Sequence, residues 1–284
     1  MSPGSTPDPG GTPTAPDHDH HELEDHDRGL SQDLPVLLSR RRALTLFGGA
    51  GLAAALAGCG LTGNGDGGSS GTAGGSSGSE IPEETSGPYP GDGSNGVNVL
   101  TESGIVRSDI TRSFGSASGV AEGVPLTLRL RVLDVSKRSA GFAGAAVYVW
   151  HCDQTGRYSL YSDGVTEENY LRGVQPAGAD GWVTFRSIYP AAYSGRWPHV
   201  HFEVYPDLGA ATTARDKLRT SQLGLPAAAC TTVYETSGYR QSLQNMAHLS
   251  LDTDVVFRDG YSHQLATVTG NERDGMTATL EVPV

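Results

Sequence analysis

The chain has few basic residues and no long apolar run. Lysine and arginine together number 20 against 32 acidic residues, which gives a formal net charge of −12 over 284 residues. No basic cluster is present, so the sequence argues against nucleic acid as a partner, and it offers no binding stripe for anionic lipid. The longest apolar segment, which ends at Ala57, is too short for a permanent membrane-spanning helix.

Cysteine is also scarce, with only Cys59, Cys152 and Cys230 in the whole chain. These three form no Cys-x-x-Cys pair, and the sequence contains neither a phosphate-binding loop nor a Ser-His-Asp arrangement. The length suits one substantial domain with tails, or two small domains.

Residues 1–38 are rich in proline, glycine, histidine and aspartate. This composition buries too little apolar surface to offset the entropy of ordering, so it predicts a disordered acidic and His-rich tail. The run from His18 to His21 either binds a metal ion or, as we favour, is simply part of a solvated tail.

Residues 39–59 have a charged start and an apolar middle, which is typical of an export signal. The Arg40-Arg41-Arg42 run makes the segment resemble a twin-arginine signal, and Leu56-Ala-Gly-Cys59 resembles the lipobox of bacterial lipoproteins. These resemblances imply that Cys59 becomes a lipidated N-terminus on the outer face of the bacterial cell membrane, where the lipid anchor is the sole membrane contact. The alternative is a plain signal peptide in which Cys59 is removed or idle.

Export predicts an oxidising compartment, where the remaining pair, Cys152 and Cys230, is expected to form a disulfide. Residues 60–80 are mostly glycine and serine and predict a flexible linker. Residues 81–284 are then expected to form the catalytic domain. Without residues 1–58 the chain keeps 24 acidic and 16 basic residues, so the exported part stays mildly acidic.

From about residue 81 onward, short runs of alternating or β-branched residues are separated by Gly and Asp turns. This pattern predicts an all-β fold, a β-sandwich of mixed and antiparallel strands with a few short helices and long loops. The predicted strands are Leu126–Val132, Ala145–His151, Trp182–Ile188, His199–Tyr205, Ser262–Thr269 and Met276–Val282, and the predicted short helices are Ala227–Tyr234 and Arg240–Leu249.

The most informative motif is His199-Val-His201, with Tyr193 and Arg196 just upstream. In an extended strand both imidazoles lie on one face, because side chains repeat every two residues. A lone His-x-His pair is more often structural than metal-binding, and a cupin would need a glutamate four or five residues later, where this chain has Tyr205 and Pro206. Imidazole together with phenolate suits a hard ferric ion better than zinc or copper.

Several short motifs, taken in order, resemble the intradiol ring-cleavage dioxygenases, the family of protocatechuate and catechol dioxygenases. The resemblance covers roughly residues 84–284 and is densest from 145 to 223. It implies that Tyr158, Tyr193, His199 and His201 bind Fe(3+), that Arg196 is the active-site arginine, and that Gln222 is the active-site glutamine that lies behind the metal ligands. The motifs are Gly156-Arg157-Tyr158, Tyr193, Arg196-x-x-His199-x-His201 and Ser221-Gln222.

The same resemblance implies an activity: cleavage of a catechol ring between its hydroxylated carbons with O2, giving a muconate-type dicarboxylic acid. Tyr193 would leave the iron and act as a base, and Arg196 would stabilise charge developing on the ring. The expected partners are a small catechol and O2. The sequence pattern identifies neither the particular catechol nor the oligomeric state. Two alternatives stay open: a non-catalytic cell-surface sandwich that binds a partner, and an iron- or phenol-binding lipoprotein without turnover.

Overall fold

The structure, a computed structural model, describes Met1 and residues 79–284. The predicted tail, the signal-like segment with Cys59 and all but the end of the linker lie outside the described residues. Within the part of the chain that is described, no helix is both long enough and apolar enough to cross a membrane.

Between residues 79 and 284 the chain forms nine strands and two short α-helices, with 3₁₀ turns at Val135–Lys137 and Phe257–Asp259. The strands are β1 (Pro125–Asp134), β2 (Ala140–Gly141), β3 (Ala146–Trp150), β4 (Arg172–Pro176), β5 (Trp182–Ile188), β6 (His199–Tyr205), β7 (Arg219–Gly224), β8 (Thr267–Asn271) and β9 (Gly275–Pro283), and the helices are α1 (Ala227–Tyr234) and α2 (Arg240–Met246).

The strands form two sheets. In the larger sheet β1 is central: it pairs antiparallel with β5 and β2 and parallel with β9, and β8 lies beyond β9. The smaller sheet is antiparallel, in the order β4-β3-β6-β7. The predicted all-β sandwich with a few short helices is therefore confirmed.

The core lies between the two sheets. Alternate β1 residues such as Leu126 and Leu128 are buried, and they belong to the same apolar cluster as Val200 and Phe202 of β6. This burial explains the period-two pattern of β1, because every second side chain points into the core. The inward face of β6 thus anchors the smaller sheet against the larger one.

Strand β6 is buried on its other face as well, since all seven of its residues are inaccessible. Its odd-numbered residues point away from the core, towards a second apolar cluster that includes Leu100, Trp150 and Tyr158. The outer face of the smaller sheet is therefore covered by two loop segments: one before β1, which contains Leu100, and one after β3, which contains Tyr158. This covered face carries both histidines of the His-x-His motif.

Two expectations from the sequence are wrong. The predicted strand from Ser262 begins only at Thr267. Gln264 is fully buried and donates to the backbone oxygen of Gln222 at 3.2 Å, so this segment packs as a loop against β7.

The predicted disulfide is also absent, because Cys152 and Cys230 are both free and buried. Each thiol has hydrogen-bond partners of its own: Cys152 Sγ lies 3.7 Å from the oxygen of Ala191, and Cys230 Sγ lies 3.3 Å from the hydroxyl of Tyr189. An even count of cysteines therefore did not imply a bridge here.

Candidate metal centre

The first predicted ligand, Tyr158, ends a tight turn that Asp153 organises. The backbone N–H groups of Thr155 and Arg157 donate to Asp153 Oδ1 at 2.8 and 3.1 Å. Gly156 has a φ of +91°, which side-chain-bearing residues rarely adopt. Beyond the turn, the N–H of Tyr158 donates to Ser162 Oγ at 2.9 Å, and the phenol is buried.

The two histidines enter the site from β6, which also holds them rigidly. His201 lies opposite Trp150 in the register of β3 and β6, and the two rings stack at 4.9 Å with an interplanar angle of 4°. His199 Nδ1 donates to the backbone oxygen of Trp197 at 2.5 Å. The proton of neutral His199 therefore sits on Nδ1, and its Nε2 presents a lone pair to the site.

Four donor atoms from distant parts of the chain converge. Tyr158 Oη lies 3.4 Å from Tyr193 Oη and 3.5 Å from His199 Nε2, and Tyr193 Oη lies 3.3 Å from the same nitrogen. The Nε2 atoms of His199 and His201 are 3.0 Å apart. Ligands at about 2.0–2.1 Å from one tetrahedral ion stand about 3.3 Å from each other, so the spacing matches a single cation.

Burial sets the protonation of these groups. It lowers the pKa of His199 to about 3, with the positive charge of Arg196 as the next cause, and it lowers the pKa of His201 well below its usual value. Both imidazoles are therefore neutral and able to bind a metal. Burial raises the pKa of the Tyr158 phenol, and the neighbouring Tyr193 raises it further. Only a bound cation would turn the Tyr158 phenol into a phenolate at neutral pH.

The residues present fit a bound metal cation. Since His199 Nε2 has no proton, its contact with His201 Nε2 requires either a proton or a cation between the two nitrogens. His201 Nδ1 is buried and has no hydrogen-bond partner among the described residues. The described residues contain no group of three His, Cys, Asp or Glu placed for a metal, so any metal here depends on the two phenols.

Arg196 and Gln222, the other predicted site residues, lie beside this cluster. Arg196 is buried, and its Nη2 donates to Gln222 Oε1 at 2.6 Å. Gln222 is paired with His201 in the register of β6 and β7, and its Nε2 donates to the backbone oxygen of Thr85 at 2.9 Å. The structure thus brings together all six residues that the sequence assigned to catalysis and metal binding.

Two further buried carboxyl groups lie near Arg196 and were not predicted from the sequence. Asp254 accepts a hydrogen bond from Arg196 Nε at 3.1 Å. Glu84 lies in the segment that crosses β7, where its N–H donates to the oxygen of Thr220 at 2.8 Å. Burial, and secondly the charge of Asp259, raise the pKa of Glu84 to about 8. Neither acid belongs to a motif, and each is far from Arg196 in sequence.

Comparisons with known proteins match the part of the chain that carries this site. A family model described as Dioxygenase matches residues 102–209, a range that holds all four predicted ligands and Arg196. A curated chlorocatechol 1,2-dioxygenase of Rhodococcus opacus is 29% identical over 91 residues, which cover 28% of this chain and 35% of that protein. Over these stretches the chain is similar to the intradiol ring-cleavage dioxygenases. The match thus spans about a third of that curated family member's length.

A solved structure shows the same fold. The intradiol ring-cleavage dioxygenase from Tetranychus urticae superposes with a TM-score of 0.54 at 22% identity, over 72% of this chain and 94% of that one. At this identity the likeness supports the intradiol dioxygenase fold and says nothing about the roles of single residues. The family-model match ends before Gln222, Asp254 and the rest of the C-terminal segment.

Proposed function

We propose that the protein is a non-haem iron(III) dioxygenase that cleaves a catechol-type ring between its two hydroxylated carbons with O2, giving a muconate-type dicarboxylic acid. The observation that carries this proposal is the convergence of Tyr158, Tyr193, His199 and His201, whose donor atoms lie 3.0–3.5 Å from their neighbours. Two phenols and two imidazoles form a donor set that suits a ferric ion.

Bound iron(III) would supply Lewis-acid activation of the catechol, which would make the ring reactive towards O2. The protein's part is to hold the ligands and to move protons. Tyr158, His199 and His201 are buried and rigidly packed, whereas Tyr193 is only half-buried and lies in a loop beside the exposed Ser194. Tyr193 is thus the ligand able to give way to substrate and to accept a substrate proton on its Oη.

Arg196 is the preorganised positive group of the site. Its guanidinium is buried, and its charge lowers the pKa of both His199 and Tyr158, although burial is the largest influence on each. A buried cation fixed before substrate arrives stabilises negative charge that develops on the ring, without the cost of reorganising solvent. Gln222 holds the Nη2 side of the guanidinium through its 2.6 Å hydrogen bond.

The signal-like segment and Cys59 support a further part of the proposal. We place the enzyme outside the cell, exported by a twin-arginine-type signal and anchored by lipid on Cys59, with residues 60–80 as the tether. Replacing Cys59 by Ser is expected to release the protein from the membrane fraction. Retention of that variant in membranes would reject the anchor.

The function is tested by measuring oxygen uptake by purified, iron-loaded protein with catechol, protocatechuate and hydroxyquinol, together with ultraviolet spectra of the products. We expect one O2 consumed per catechol and a muconate-type spectrum. A coloured protein without oxygen uptake would identify an iron- or phenol-binding lipoprotein. A colourless protein that retains no iron would point to a non-catalytic binding module.

Tyr158→Phe tests the ligand assignment directly. The change removes a phenolate, so we expect the tyrosinate-to-iron absorption to change and both iron affinity and kcat to fall by at least about 10- to 100-fold, the loss seen when even residues that support a metal ligand are removed. Tyr161→Phe is the matched control, since Tyr161 lies three residues from Tyr158 but its hydroxyl donates to Asn95. An unaltered spectrum in Tyr158→Phe would reject Tyr158 as a ligand.

A further inference from the structure

A buried ion pair joins Arg196 to Asp254, which lies 58 residues away and outside the range matched by the family model. Both side chains are 1% exposed. A buried arginine without a counter-charge is strongly unfavourable, so the partner of this guanidinium affects the whole centre. The function proposed above assigns no role to Asp254.

The carboxylate of Asp254 bonds on both of its oxygens. Oδ2 accepts from Arg196 Nε at 3.1 Å and from the backbone N–H of Trp197 at 2.7 Å. Oδ1 accepts from the N–H groups of Val256 and Phe257 at 2.8 and 3.3 Å, which fixes it at the start of the 3₁₀ turn. Hydrogen bonds from the 3₁₀ turn therefore hold the carboxylate in place. The same carboxylate fixes the Arg196 side chain and the Trp197 backbone.

The guanidinium is planar, so hydrogen bonds at two separate corners fix its plane. Asp254 holds the Nε corner, and Gln222 holds the Nη2 corner at 2.6 Å. The bond to the Trp197 N–H fixes the backbone just before Pro198 and His199, where β6 begins. The Asp254 carboxylate thus sets the direction of the Arg196 side chain and the path of the backbone into β6, the strand that carries His199 and His201.

Asp254 also changes the charge of the site. Paired with an ionised carboxylate, the guanidinium acts as a directed donor within a neutral pair and not as an uncompensated positive charge. Its influence on anions therefore falls off quickly with distance, and it acts mainly on a group placed next to the guanidinium.

We propose that Asp254 is a positioning residue for Arg196, which orients the guanidinium towards the substrate ring and neutralises its long-range charge. The proposal rests on the dioxygenase function argued above. The competing interpretation is that Asp254 only caps the turn at Val256 and Phe257 and so contributes to folding alone.

The test is a double-mutant cycle with Asp254→Asn, Arg196→Gln and the double variant, with the exposed Asp252→Asn as control. We expect Asp254→Asn to lower kcat about 10- to 100-fold with a smaller change in KM, as for a misplaced catalytic group. Asp252→Asn should behave as wild type. The double variant should have the kcat of Arg196→Gln alone, because Asp254 acts through Arg196. Independent losses in kcat that multiply in the double variant would overturn the proposal.

Azide binding to the iron-loaded variants, followed by visible absorption, gives a readout without turnover. Asp254→Asn leaves the positive charge of Arg196 unbalanced, so azide should bind severalfold more tightly than to wild type. Arg196→Gln should abolish that gain in the double variant. Unchanged azide affinity in Asp254→Asn would assign Asp254 to the turn alone and overturn the proposal.

If Asp254→Asn fails to fold, Asp254→Glu takes its place, because it keeps the charge while moving the guanidinium. It should lower kcat and leave azide affinity near that of wild type, and a wild-type kcat would overturn the proposal. Failure of the two proposals is distinguishable. A wild-type protein that consumes no oxygen with any catechol refutes the dioxygenase function, whereas the azide arm of the cycle decides the role of Asp254 by itself.

Discussion

At the scale of single residues, burial decides which side chains of the centre carry a proton. It favours the neutral form of every ionisable group, so the pKa of His201 falls while that of Tyr158 rises. The histidines are then ready to bind a metal, and the tyrosines must first lose their protons. Metal binding to this centre therefore releases protons and is favoured as the pH rises.

Glu84 allows a stability test of the same effect. Its pKa is about 8 in the folded protein against an ordinary value of 4.5, so the folded state binds more protons between these two values. Stability should therefore fall as the pH rises through this window. Glu84→Gln should remove that fall, which amounts to at most a few kcal/mol because one pKa unit corresponds to about 1.4 kcal/mol.

Urea denaturation of wild type and Glu84→Gln at about pH 5 and about pH 8 measures this difference. The exposed Glu102→Gln serves as control, because a solvated carboxyl has no comparable effect on unfolding. Identical pH dependence in wild type and Glu84→Gln would show that Glu84 ionises freely in the folded protein.

The residues of the centre were predictable from sequence only where they belong to short motifs. Tyr158, His199 and His201 have recognisable neighbours, and the two-residue period of a strand places both histidines on one face. Asp254 and Glu84 are single acids in unremarkable segments. Their proximity to Arg196 arises from packing between distant parts of the chain, which sequence spacing does not encode.

At the scale of elements, the strands in which apolar and polar residues alternate were predictable from the sequence, whereas the strands rich in polar residues were not. Strand β1 follows the apolar pattern throughout, and the structure confirms it. Strand β7 contains Ser221 and Gln222, both fully buried, so its sequence resembles a loop although it lies inside the fold. Strand β4 contains a glycine and ends in a proline, which weakened its signal in the same way.

The turn before Tyr158 provides a test at this scale. Gly156 has a φ of +91°, and a Cβ built there would lie 3.3 Å from the Cβ of Tyr193. Gly156→Ala is therefore expected to cost about 1–2 kcal/mol of stability through the backbone alone. It should also push the Tyr193 loop away from Tyr158 and weaken iron binding.

Gly164→Ala is a matched control, because Gly164 also has a positive φ, of +77°, but its nearest neighbour would be an Arg157 nitrogen at 3.9 Å. Thermal unfolding should show similar losses for both variants, whereas iron titration should separate them. Equal iron affinity in the two variants would mean that the contact of Gly156 with Tyr193 does not support the centre.

At the scale of the whole molecule, the domain is held together by its two-sheet core without a covalent bridge between Cys152 and Cys230. Burial raises the pKa of the Cys230 thiol to about 12 and that of Cys152 further still, so neither thiol is reactive in the folded protein. We expect a reducing agent to leave the Tm unchanged and an alkylating agent to modify both thiols only after unfolding.

A disulfide closing a loop of about 80 residues would contribute about 4–5 kcal/mol. In a domain of this size its reduction would lower the Tm by roughly 10 °C or more. Such a drop, or a pair of thiols resistant to alkylation after denaturation, would reinstate the bridge predicted from the cysteine count.

The parallel pairing of β1 with β9 has a consequence for how the protein is made. Leu126 lies beside Met276 and Leu133 beside Pro283. The central strand β1 therefore pairs with residues about 150 positions later in the chain, and this pairing forms late. A nascent chain cannot complete that sheet before its last strand leaves the ribosome. Until then β1 presents an open edge to other chains, so a chain that stops before β9 would expose this edge to aggregation.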